Sequence, residues 1–120
     1  MKAELVPQLP HSGHIVRYAL VVDGEDMGRV EICDRRDFTH AVIYDVLIAE
    51  DRRRQGHGHR LMECVVRKLE GRAIRLSVLR ANHVARRLYE AHGFAYIHKD
   101  WTYPSRVWYE RPAQIKAEAA

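Results

Sequence analysis

At 120 residues, 47% hydrophobic and 30% charged, the chain has the bulk for one domain with one core and no room for a second. No apolar run reaches membrane-span length, and the N-terminus Met-Lys-Ala-Glu-Leu-Val-Pro lacks a signal-peptide core, so the expected setting is cytoplasmic. The net charge of +4 is segregated: residues 52–87 hold eleven of the 20 basic side chains and two of the 16 acidic ones, which calls for an anionic ligand near them.

Residues 1–13, with two prolines and a glycine, read as a loose lead-in. Ile15 to Val22 and Met27 to Cys33 form a predicted hairpin around Asp23-Gly24-Glu25-Asp26. A charged turn, Asp34 to Asp37, follows. His40 to Ala49 is a third strand, and its apolar run is too continuous for a half-exposed one; it predicts a central strand covered on both faces. A helix is expected from about Gly56 to Glu70 on Leu61, Met62, Val65, Val66 and Leu69, with Gly71 ending it. Ala73 to Leu79 alternates as a strand, so the strand–helix–strand order implies a parallel right-handed crossover. Asn82 is the expected N-cap of a second helix carrying Val84, Ala85, Leu88 and Tyr89 and ending at Gly93. Phe94 to Thr102 and Arg106 to Arg111 make a last hairpin, and the tail from Pro112 to Ala120 has little to bury. Cys33 and Cys64 read as reduced thiols.

Between the third strand and the first helix lies Arg52-Arg53-Arg54-Gln55-Gly56-His57-Gly58. A glycine-rich turn that leaves a strand and opens a helix presents bare backbone N–H groups to an anion, with the helix dipole behind them. The arginines add positive charge, and the arrangement fits a pyrophosphate. Arg53 to Gly58 resembles the Arg/Gln-x-x-Gly-x-Gly/Ala signature of the GNAT acetyltransferases. The run from Asn82 to Phe94 resembles that family's second signature, Asn-x-x-Ala-x-x-x-Tyr-x-x-x-Gly-Phe. Both motifs occur in the family's order and at its spacing, and the likeness covers roughly residues 15–111.

The resemblance implies an α/β (α+β) fold: a mixed, mostly antiparallel central sheet with a splayed parallel strand pair and two main helices. It implies acetyl-coenzyme A as cosubstrate, its pyrophosphate held by Arg53, Arg54, Gln55, Gly56, His57 and Gly58, and its pantetheine arm paired with the backbone of Ile48 and Ala49 and contacted by Asn82. Tyr89 takes the place of the family's tyrosine that protonates the departing thiolate. Family members usually carry a first strand and two helices before the region that begins here at Ile15. Those helices wall the acceptor site; without them the chain is either a minimal variant or one whose wall a second subunit completes, and a homodimer is expected.

The chemistry fits these residue types. Aminolysis of a thioester needs a deprotonated amine, a polarised carbonyl and a protonated leaving thiol, and a phenol can supply that last proton. Asp45, acidic within an apolar strand, is a possible base or substrate anchor, or a structural carboxylate paired with an arginine or histidine; Glu31 and His40 are weaker base candidates. Trp101, Tyr103, Trp108 and Tyr109 in the last hairpin are expected to serve packing or dimer contact more than an acceptor pocket. His57, His59 and Cys64 lack zinc-ligand spacing, so no metal is predicted. The expected partner is an amine-bearing small molecule or peptide. Nucleic acid is disfavoured, because aromatics do not interleave with the basic stretch. The competing function is a non-catalytic acyl-coenzyme A sensor or scaffold.

Overall fold

The structure, a computed structural model, describes residues 1–114. Alternating apolar residues in the first third of the chain build an antiparallel meander: β1 (Ala3–Ser12), β2 (Ile15–Val22), β3 (Glu25–Cys33) and β4 (His40–Ile48). A 3₁₀ turn (Glu50–Arg52) leads to α1 (His57–Lys68), then β5 (Ala73–Leu79), α2 (His83–Ala91), β6 (Ala95–Lys99) and β7 (Arg106–Arg111). The seven strands form one sheet in the order β1-β2-β3-β4-β5-β7-β6, in which β4 and β5 are the parallel pair that the crossover helix requires.

Two expectations need correction. The lead-in is not loose: β1 pairs with β2 from Ala3↔Val22 to Gln8↔Arg17 and again at Ser12↔Ile15. Its prolines hid it, but β1 is an edge strand, where a missing N–H costs no ladder bond on the solvent side. Nor is β4 covered on both faces. Ala41 and Ile43 are buried under the helices, whereas Tyr44 and Leu47 are 42% and 40% exposed. The expected tail starts at Pro112; its residues 115–120 lie outside the described residues.

The core lies between one face of the sheet and the two helices. Val30, Ile32, Ile43, Ile74, Leu76, Val107 and Tyr109 from the strands meet Leu61, Met62, Val65 and Leu69 from α1, with Tyr89 and Phe94 closing the α2 end. Each fully buried aliphatic side chain contributes about 1.5–3 kcal/mol. Among the described residues no helix covers the opposite face. There the register sets Ile15, Cys33 and Val42 in one row, Arg17, Glu31 and Tyr44 in the next, and Ala19, Arg29 and Leu47 in a third.

The device that positions the site is a bulge in β4. Glu31 faces Tyr44 and Arg29 faces Leu47, so β4 has one residue more than β3 between those pairs. Asp45 takes up the excess at a φ of 50°. Pairing of β4 with β5 ends before it, at His40↔Ala73, Ala41↔Ile74 and Val42↔Arg75. Beyond Val42 the two strands diverge.

Candidate active site

Where β4 and β5 part, two cavities open. One of about 760 Å³ runs along Val46 to Ile48, the loop from Arg52 to His59, and the face of α2 from Asn82 to Tyr89. The other, about 240 Å³, lies in the fork itself, between Ile43 to Val46 and Leu76 to Leu79, with Arg106 beside it. Val46, Asn82, Ala85 and Tyr89 belong to both walls, so they mark where the cavities meet.

The floor of the larger cavity is strand backbone. Ala49 donates its N–H to the Met27 carbonyl at 3.0 Å, back toward β3. By alternation the polar groups of Ile48 and Val46 then face the gap, and the Ile48 carbonyl there accepts from Arg53 Nε at 3.1 Å. Ile48 thus lies on the gap side; the Ala49 N–H turns back toward β3, and by alternation Val46 is the next gap-facing backbone.

The loop end is a helix N-terminus with no side-chain cap and no acidic residue in its first turn. The first intrahelical bond runs from Arg60 N to Gly56 O, leaving the N–H groups before it for a ligand. Gly56, at a φ of 81°, takes a left-handed conformation that a side chain would strain. Gly58 has a different reason to be bare: a Cβ there would come within 3.2 Å of Leu88 Cδ2, so it allows α2 to close on α1. Gln55 does not line the cavity, and its carbonyl accepts from Arg60 at 2.6 Å. His57 is buried, with Nδ1 3.2 Å from Arg60 Nη1. Arginine only donates, so Nδ1 accepts and the ring proton sits on Nε2. Burial first, then the Arg60 and Arg52 charges, hold His57 below the usual histidine range. Arg52 is paired with Glu25 at 3.1 Å. Arg54 and Arg87 line the cavity without an ion pair or side-chain hydrogen bond among the described residues.

At the meeting point, Asn82 Oδ1 caps α2 by accepting from Ala85 N at 3.1 Å, which leaves its amide N–H groups on the cavity side. Tyr89 is 7% exposed, and its hydroxyl makes no hydrogen bond among the described residues. Burial pushes its phenol up to about 12, with a small opposing effect from Arg106. Asp45 lines the fork in the exposed bulge, and so is not the buried, paired carboxylate that its sequence setting allowed. Its neighbour is another carboxyl: a hydrogen bond with Asp45 raises Glu31 above the usual range, partly offset by Arg17 at 3.7 Å. His40 sits at the closed end of the β4–β5 pair and lines neither cavity. Of the hairpin aromatics, Tyr109 is core and Trp108 Nε1 donates to Asp100 at 2.9 Å, while Trp101 and Tyr103 are exposed. None lines the fork. Val46, His59 and Arg87 were missed; only the fold brings them to the groove wall.

These features coincide with a known class. A model of the acetyltransferase (GNAT) family matches residues 3–94, and the chain belongs to that family. Among solved structures it is similar to an acetyltransferase from Thermus thermophilus (25% identity, TM-score 0.70), over 82% of this chain and 64% of that one. The chain thus spans less than two thirds of that relative. It is also similar to the ribosomal-protein-S18-alanine N-acetyltransferase from Escherichia coli (21%, TM-score 0.72, 92% of this chain and 76% of that one). A third is an aminoglycoside acetyltransferase solved with coenzyme A and kanamycin (19%, TM-score 0.67, 81% and 65%). No curated protein matches the sequence.

Proposed function

We propose that the chain is an acetyl-coenzyme A-dependent N-acetyltransferase that moves acetyl directly to an amine. The observation that carries this is the junction of the two cavities. A groove with an uncapped helix N-terminus at one end and Tyr89 at the other has the polarity of coenzyme A, with its pyrophosphate over Gly56 to His59 and its thioester at Tyr89. The arm pairs with backbone at Val46 and Ile48 and with the Asn82 amide, while Arg53, Arg54 and Arg87 add charge along the wall.

The acceptor enters from the fork. Asp45 lines it, with the Glu31 carboxyl hydrogen-bonded to Asp45, which favours a cationic amine; Asp45 anchors it or takes its proton. The free amine attacks the thioester carbonyl, the C–S bond breaks, and Tyr89 gives its proton to the leaving sulfur. Cys33 and Cys64 line neither cavity, which supports direct attack by the bound amine. The proposal includes a cytoplasmic setting and a homodimer that closes the acceptor side. No helix among the described residues is long and apolar enough to cross a membrane.

Tyr89→Phe is the test, with an acceptor that the wild type acetylates, found by screening amines and peptides. Acetyl-coenzyme A affinity should hold, and turnover should fall by roughly 10²- to 10⁴-fold. Full activity in the variant would remove Tyr89 from the chemistry. Tight coenzyme binding by a wild type that acetylates nothing on a broad panel would favour the sensor reading.

A further inference from the structure

Besides the groove, α1 and α2 meet through a histidine pair. His59 Nδ1, in the first turn of α1, lies 2.9 Å from Nε2 of His92, the residue at the C-terminal cap of α2. The ring centroids are 5.1 Å apart, and the planes tilt by 43°. Thirty-three residues separate the two in sequence, so no motif announces the pair. His59 is on the wall of the larger groove. His92 is on the wall of a separate cavity of about 590 Å³, which Glu63 also lines, one helical turn beyond His59.

We propose that His59 and His92 are the protein ligands of a site for a divalent late transition metal: Zn²⁺, Ni²⁺ or Cu²⁺. Two imidazoles bound side by side to such an ion, each at about 2.0–2.1 Å, hold their ligating nitrogens roughly 3 to 3.4 Å apart. The observed 2.9 Å is close to that, so small ring rotations open the angle that the ion needs. The nitrogens already converge. In the empty pair one ring donates a proton to the other; on metal binding that proton moves to the far nitrogen of its own ring, and both facing lone pairs become available. Two helix ends fix the positions, so little ordering is required. Imidazole donors select late transition metals over Mg²⁺ or Ca²⁺.

Among the described residues no three His, Cys, Asp or Glu side chains already converge on one point. The site is therefore bidentate, its remaining positions taken by water or by the Glu63 carboxylate after a rotamer change. Arg67 and Arg111 are the cations on that cavity, and the Nε of Arg111 is committed to the His92 carbonyl at 3.0 Å. An ion held here ties the first turn of α1 to the end of α2. Because His59 also lines the groove, metal occupancy and groove occupancy share a side chain. The site does not depend on the transferase reading.

The test is calorimetric titration of the full, untagged chain with ZnCl₂, repeated on His59→Gln and His92→Gln. One equivalent should bind to the wild type. Each variant should bind about tenfold more weakly or worse, while His83→Gln, on the same helix as His92 but outside the pair, should match the wild type. With Cu²⁺ in place of Zn²⁺, electron paramagnetic resonance should show coupling to two imidazole nitrogens, reduced in either variant. Circular dichroism and thermal melting will confirm that the variants fold. Equal metal affinity in the wild type and both variants, or no stoichiometric binding to the wild type, would overturn the proposal.

Discussion

Tyr89 packs against Phe94 with ring centroids 6.0 Å apart, and the burial that makes it part of the core also holds its proton. A phenol pushed up to about 12 stays protonated across the working range, as a proton donor must. The same shift has a stability consequence of definite sign. An unfolded tyrosine titrates near 10, so between about 10 and about 12 the folded chain binds more protons than the unfolded one, and stability is lost as pH rises through that window. At 1.36 kcal/mol per unit the loss is at most about 2.7 kcal/mol, and solvent at the cavity mouth reduces it to about 1–2 kcal/mol. Tyr89→Phe has nothing to titrate. Urea unfolding should find its stability change between pH 8 and pH 11.5 smaller than the wild type's by that amount. Parallel curves would place the alkaline titration in another group.

The bulge in β4 joins fold to site, because the residue that absorbs the extra length is also the carboxylate in the fork. Asp45 in the left-handed region costs about 1–2 kcal/mol. Asp45→Gly should therefore melt as high as the wild type or higher, and Asp45→Asn, which tolerates the conformation, close to it. Both should raise KM for a cationic acceptor while leaving coenzyme affinity unchanged. A large drop in melting temperature in Asp45→Gly would show a structural carboxylate. The sequence disclosed that Asp45 was out of place and not why. Its apolar neighbours indicated burial, but the inserted residue turns it outward. By contrast, Asn82 and Tyr89 were legible, because cap and helix period fix their positions locally. Gly58 was legible as a requirement but not as a cause, since its neighbour Leu88 is thirty residues away. β1 was hidden because prolines that exclude a central strand are harmless at an edge.

On the scale of the molecule, the described residues cover the sheet on one face only, and the other carries Ile15, Tyr44 and Leu47 at 36%, 42% and 40% exposure around Arg29 and Glu31. Such a face is more apolar than solvent-facing strands need, and it adjoins the fork through Tyr44. A second copy placed on it by a two-fold axis would bury the three apolar side chains and set Arg29 of one subunit against Glu31 of the other. In the family resemblance a pair of helices walls this side; here β1 turns into β2 between Ser12 and Ile15 with no helix between them. The expected outcome in light scattering is a dimer whose population grows with concentration. A double variant, Ile15→Lys with Arg29→Glu, should shift it to monomer. Coenzyme affinity should survive, because neither residue lines the groove or the fork, whereas acceptor turnover should fall with the dimer. A wild type that is strictly monomeric and active at assay concentration would show that one copy closes its own acceptor site. A monomeric variant with full turnover would separate the dimer from catalysis.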